Sequence, residues 1–167
     1  MTVYTTVTSP LGQLLLVGEP GPRGVSLTSL SMTGQKNAPA VRGGWTRDPD
    51  RFTGVARQLS DYFAGELTAF DVEFTPSGTD FQRLVWSALE EIPYGSTTTY
   101  GELAGRIGVE RGRIQAVGAA IGANPLLLVR PCHRVIGADG SLRGYAGSVE
   151  RKVQLLTHEG ALQPTLL

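Results

Sequence analysis

Three runs near the start of the chain alternate apolar and polar residues: Val3 to Ser9, Leu11 to Val17 and Val25 to Met32. A segment of period two gathers its apolar side chains on one face only when it is extended, so these runs must pair as strands and lay that face on something apolar. Ser9-Pro10-Leu11-Gly12 and Glu19-Pro20-Gly21-Pro22 separate them with turn residues, which predicts a small antiparallel sheet. Gly34 to Asp48, rich in Gly, Pro, Asn and Lys, reads as a loop. Asp48-Pro49 then opens a helix in which Phe52, Val55, Ala56, Leu59, Tyr62 and Phe63 recur at helical spacing before Gly65, a face suited to cover the sheet. Phe70 to Phe74 alternates again as a short strand, and Thr75-Pro76-Ser77-Gly78 reads as a linker. The expected division is an N-terminal domain over 1–75 and a C-terminal domain over 79–167.

Beyond the linker the period lengthens and polar signals announce helices. Thr79-Asp80-Phe81-Gln82 and Thr99-Tyr100-Gly101-Glu102 both fit the capping box, which predicts helices near 80–91 and 99–107. Gly108 stops the second, and a turn leads to a third near 111–123, so that the last two form a helix-turn-helix. On the third helix Ile114, Val117 and Ile121 make an apolar stripe. Beside it Gln115, Gly118, Ala119 and Gly122 make a face almost bare of side chains. Each interior glycine costs up to about 1 kcal/mol relative to alanine, so close approach of another helix or of a nucleic-acid groove is the expected reason. After Asn124-Pro125, Leu126 to Val129 is a β-like apolar run, His133 to Ile136 continues extended, and Gly144-Tyr145-Ala146-Gly147 is a loop. Ser148 caps a last helix running to His158-Glu159, closed by Gly160.

Pro131-Cys132-His133-Arg134 holds the only cysteine of the chain and one of its two histidines. A lone cysteine forms no internal disulfide, and one Cys with two His supplies no zinc site without carboxylates. A free thiol is about 3% ionised at neutral pH, and a neighbouring base or cation raises that fraction. His133 and Arg134 offer both; the alternative is a small buried hydrophobe. In an extended segment the two side chains would point to opposite sides, so a water would have to bridge thiol and imidazole. A carboxylate from elsewhere would orient the ring, with Glu159 one candidate.

Composition narrows the partners. No apolar run approaches a membrane span and the first residues lack the features of a signal peptide, so a cytoplasmic protein with a reduced thiol is expected. Net charge is zero, yet residues 106–152 carry eight basic residues against three acidic, which points to an anionic partner or to a solvated face.

In order along the chain stand Ile92-Pro93-Tyr94-Gly95, Thr99-Tyr100-Gly101-Glu102-Leu103-Ala104, Ala116-Val117-Gly118-Ala119-Ala120, Gly122-Ala123-Asn124-Pro125, Pro131-Cys132-His133-Arg134-Val135-Ile136-Gly137 and Gly144-Tyr145-Ala146-Gly147. Through these the chain resembles the O6-alkylguanine-DNA alkyltransferases, closely over roughly 79–160 and by strand-then-helix pattern before that. The resemblance implies an α/β (α+β) fold: a ribonuclease-H-like domain with a small sheet and helix, then a helical, winged-helix-like domain with the helix-turn-helix. It implies direct-reversal repair, in which Cys132 takes the alkyl group from O6 of guanine, and from O4-methylthymine as well, in a single turnover. No cofactor and no membrane are implied, and the partner is double-stranded DNA met by a monomer.

Residue roles follow from the same resemblance. His133 acts on Cys132 through water with Glu159 behind it. Tyr100 assists base extrusion and donates a proton toward the guanine, and Asn124 is the hinge between recognition helix and cysteine segment. Tyr145 and Ala146 line the pocket, the Ala146 amide bonding O6, while the carbonyls of Cys132 and Val135 accept from the guanine amino group. Arg113, Gln115, Ala116, Gly118, Ala119 and Gly122 face the DNA minor groove, a site of nearly sequence-independent reading. Gln115 stands where the family carries an arginine finger, and the preceding segment is one residue longer, so Arg113 is the candidate to compensate; weaker DNA binding and slower repair are expected. Residues 1–75 contain no Cys or His, so the structural zinc of some relatives is not expected here. A non-enzymatic lesion binder is disfavoured by Cys132, and a cysteine hydrolase by the missing Gly-rich elbow.

Overall fold

The structure, a computed structural model, describes residues 1–36, 38–142 and 144–162. Arg143 of the basic stretch therefore lies outside the described residues. The chain forms two compact units. The first comprises the described residues of Met1–Ser77 with Pro125–Val129, and the second Gly78–Asn124 with the described residues from Arg130 onward. The region expected as a C-terminal domain over 79–167 thus gives up five residues to the first unit.

In the first unit β1 (Val3–Ser9), β2 (Gly12–Gly21) and β3 (Gly24–Met32) pair antiparallel, and β4 (Thr46–Arg47) adds in parallel to β1, in the order β3-β2-β1-β4. β4 falls inside the stretch expected to be loop, because residues 46–48 exchange backbone hydrogen bonds with Thr2 and Tyr4. β2 is longer than its alternation, so Glu19-Pro20-Gly21 lies in the strand and the turn tightens to Pro22-Arg23. The register shifts between Val17 and Gly18, and Thr28 becomes the extra residue of a bulge. That shift explains the sequence pattern of β3: Val25 and Leu27 are buried on one parity, Leu30 and Met32 on the other.

A 3-10 turn, Pro49–Phe52, leads into α1 (Thr53–Phe63). Phe52, Val55, Leu59 and Tyr62 are buried, while Ala56 and Phe63 are half-buried at the margin. Neither expected outer strand forms. Phe74 makes a single bridge to Leu27 and Leu126 a single bridge to Leu30, both parallel. The chain then turns at Leu128, which takes φ 71°. These two short pairings nonetheless cover the open edge of β3, which would otherwise present unpaired backbone groups.

The second unit carries α2 (Asp80–Leu89), α3 (Tyr100–Arg106), α4 (Ile114–Gly122) and α5 (Val149–His158), with β5 (Thr98–Thr99) parallel to β6 (Val135–Ile136). Thr79 and Gln82 complete a reciprocal capping box, and Thr99 caps α3. α3 and α4 form the helix-turn-helix around a short 3-10 turn, Arg111–Arg113. Trp86 donates from Nε1 to the Ala120 carbonyl at 2.7 Å and locks α2 to α4.

The hairpin between β2 and β3 supplies a stability test. Gly24 has φ +98°, and a Cβ there would lie 2.5 Å from the Arg51 carbonyl oxygen; Gly34 has φ +79° in open space. Gly34→Ala is expected to cost about 1 kcal/mol of backbone strain, whereas Gly24→Ala adds an overpacking term and should cost about 3 kcal/mol. Chemical denaturation of the two variants checks the difference; equal costs would show that the Arg51 contact yields.

Candidate active site

Cys132 stands in a 3-10 turn, Cys132–Arg134, not in the extended segment expected for it. Consecutive residues diverge in such a turn as well, so the thiol and the His133 ring still leave the backbone in different directions. Cys132 is buried, and burial pushes its thiol up to about 11, against the lowering effect of a hydrogen bond from the Asn124 side chain and of the Lys152 charge. At neutral pH the resting group is therefore a thiol, and it must lose its proton as it reacts.

His133 is fully buried, and its Nε2 lies 2.8 Å from Glu159 Oε2. Glu159 is held from a second side by Arg134, whose Nε reaches Oε1 at 2.8 Å and whose Nη2 reaches Oε2 at 3.0 Å. A carboxylate in that clamp only accepts, so Nε2 carries the proton and donates it to Glu159. The lone pair is left on Nδ1, which is buried and has no hydrogen-bond partner among the described residues. Burial lowers the imidazole pKa more than Glu159 raises it, which keeps the ring neutral and basic at Nδ1.

Arg134 does not act on the thiol, as its place in the sequence suggested. Its Nη1 donates to the Ile92 carbonyl at 2.7 Å and its guanidinium covers the Tyr94 ring, so its fork is divided between Glu159 and that carbonyl. The cation beside Cys132 is Lys152, which sequence reasoning placed only among the basic residues of the stretch. Lys152 is fully buried, donates from Nζ to the Val135 carbonyl at 2.6 Å, and is lowered to about 8 by burial while the Cys132 charge raises it. A signal existed: Lys152, Leu155, Leu156 and Glu159 share the buried face of α5, and two charged residues within an apolar stripe mark a site.

Asn124 follows α4, is buried, and donates from Nδ2 to the Arg130 carbonyl at 3.0 Å while its side chain also bonds Cys132. Tyr100 begins α3. A Cβ on Gly118 would lie 4.0 Å from its ring, and one on Gly144 would lie 3.0 Å from its hydroxyl. Burial first, and the Cys132 charge second, raise its phenol pKa and keep it protonated. Tyr145 is buried, edge-on to the His133 ring at 6.3 Å, and Ala146 beside it is half-buried. The Val135 carbonyl already receives Lys152, and the Cys132 carbonyl receives the Val135 amide; each retains one lone pair for a further donor.

Along α4, Gln115, Ala119 and Gly122 are exposed, and Ala116 and Gly118 half-buried. Among the described residues, nothing beyond its chain neighbours and the helix's own backbone lies within 4 Å of a Cβ built on Gly122, so packing among them does not demand glycine there. Arg113 stands at the N-cap position of α4 without a side-chain cap bond, its guanidinium over the Phe81 ring at 5.0 Å. Arg113 thus precedes the first turn of α4, on which Gln115 lies. Among the described residues there is no group of three or more His, Cys, Asp or Glu that could hold a metal, and no helix long and apolar enough to cross a membrane.

Comparison with known proteins gives this geometry relatives. Residues 2–76 match the 6-O-methylguanine DNA methyltransferase ribonuclease-like domain, and residues 80–161 match the DNA binding domain of the same proteins. The methylated-DNA–protein-cysteine methyltransferase of Mycolicibacterium paratuberculosis is 50% identical over 167 residues, covering 100% of this chain and 98% of that protein. That of Methanosarcina acetivorans is 46% identical over 158 residues, 95% and 98% of the two chains. Among solved structures, Mycobacterium tuberculosis OGT in complex with DNA superposes with a TM-score of 0.85 at 50% identity, over 95% of this chain and 93% of that one. With both domains matched end to end and half of all residues shared, the chain belongs to the methylated-DNA–protein-cysteine methyltransferase family.

Proposed function

We propose that this protein repairs O6-alkylguanine in double-stranded DNA by moving the alkyl group to Cys132, once per molecule, as a monomer in the reducing cytoplasm and without a cofactor. The observation that carries the reading is the buried thiol bonded to Asn124 next to a neutral imidazole that Glu159 holds in the Nδ1-basic tautomer. In the reaction the Cys132 proton passes through a water to His133 Nδ1, and the sulfur attacks the alkyl carbon. The S–C bond forms as the C–O6 bond breaks, and the electron pair returns to the guanine. Tyr100 donates a proton to the departing base and recovers one from His133, so the proton count closes. The positive charge that grows on His133 is met by Glu159.

The alkyl carbon cannot reach a buried thiol from within the duplex, so the nucleotide must leave the stack at a cost of a few kcal/mol. The spare face of α4 suits the minor groove, and the Tyr145-Ala146 loop would receive the extruded base, with the Ala146 amide toward O6. Gln115 can hydrogen-bond the orphaned base but brings no charge, which makes extrusion the weak step of this protein. The same site would take O4-methylthymine, whose alkyl oxygen occupies a comparable edge.

Incubation with duplex DNA carrying O6-methylguanine, followed by intact mass and peptide mapping, should place one methyl-sized gain on Cys132. Binding without any gain would favour a lesion-recognition protein instead. Glu159→Gln keeps the size of the side chain and removes the charge that supports imidazolium, so the single-turnover rate should fall by about 10² or more. Because burial holds the thiol near 11, its rate with iodoacetamide should keep climbing from neutral pH past the usual thiol range; Lys152→Met removes a cation that favours the thiolate and should slow the reaction most below about pH 8, where Lys152 is charged. Gln115→Arg should raise the repair rate on duplex DNA and leave the rate on a single-stranded substrate unchanged; equal rates on duplex DNA would deny position 115 any part in extrusion.

A further inference from the structure

Arg130 is an arginine buried to 5% exposure two residues before the reactive thiol, where a charged side chain is costly. Its guanidinium lies over the Trp86 ring at 4.8 Å, and the Glu90 carboxylate at the end of α2 favours its charge. Trp86 is itself held on two sides: Nε1 is bonded to the Ala120 carbonyl, and a Cβ on Gly78 would meet the ring at 2.6 Å. The side chain of Arg130 is thus fastened to a fixed platform.

Its carbonyl does the work at the site. That oxygen accepts from Asn124 Nδ2 at 3.0 Å and from the Cys132 amide at 2.7 Å, so one atom aligns both the residue that bonds the thiol and the turn that bears it. Arg130 does not act on Cys132 as a charge, since the cation that lowers the thiol is Lys152. We infer that Arg130 is a positioning residue for Cys132: stacked on Trp86, it holds the carbonyl that orients Asn124 and thereby sets the Asn124 hydrogen bond to the thiol. The inference rests on Cys132 being the alkyl acceptor, but its test reads the thiol without DNA.

The test is a double-mutant cycle on the intact protein, following iodoacetamide alkylation of Cys132 between about pH 7 and pH 10, where the vertical offset between log-rate profiles reports the change in the thiol. Arg130→Met should slow the reaction about threefold or more at every pH, Arg130→Lys should restore most of the rate by keeping a cation over Trp86, and in an Asn124→Ala background Arg130→Met should change nothing further. Should Arg130→Met not fold, Arg130→Gln carries the same cycle. An equal slowing in both backgrounds, or none in either, would overturn the positioning role. Failure of the wild type to accept a methyl group from DNA would instead refute the repair reading, and leave the cycle to be judged on its own result.

Discussion

Everything at this site hangs on the burial of one carboxylate. Glu159 is out of solvent, and an isolated buried charge would be untenable; it is tolerated because Arg134 grips both oxygens and His133 donates to one. Removing one member of such a cluster commonly costs about 3–5 kcal/mol, because the remaining charge is left stranded. The cluster joins the end of α5 to the cysteine turn, and through the Ile92 carbonyl to the segment before β5. Packing and chemistry are therefore the same contacts: the bonds that keep α5 docked also decide which imidazole nitrogen is basic.

The electrostatics of the thiol follow from where the cations were placed. Arg134, adjacent in sequence, is consumed by Glu159, while Lys152, twenty residues later, stands near the sulfur from α5. Burial wins over both Lys152 and Asn124, so the thiol rests protonated and is protected from casual oxidation or alkylation. Under the proposed single-use repair, a thiol that rests protonated is spared for its substrate. The same economy shows on α4, where glycines weaken the helix but leave its outer face open.

Much of the architecture could be read from residues alone because local rules decided it. Alternation located β1 to β3, the Thr79 and Thr99 caps located the starts of α2 and α3, and the Pro131-Cys132-His133-Arg134 segment with its ordered companions pointed to the family. The misreadings share a cause. Phe70 to Phe74 and Leu126 to Val129 have strand-like composition, yet composition does not set how far a segment runs beside its partner, and each meets β3 in a single bridge. Thr46-Arg47 was unreadable for the converse reason, since its pairing with β1 uses backbone groups that any sequence possesses.

The sequence by itself determined the period of each element, the caps, the single thiol and the family of reactions open to it, since these depend on residues near one another or on which types are present at all. Only the tertiary structure decided that Arg134 serves Glu159, that Lys152 is the cation beside Cys132, that the turn around Cys132 is helical, and that one carbonyl, that of Arg130, receives both Asn124 Nδ2 and the Cys132 amide. Charges and carbonyls act over a few ångströms in space whatever their separation along the chain. Their partners are fixed by packing, which no local pattern records.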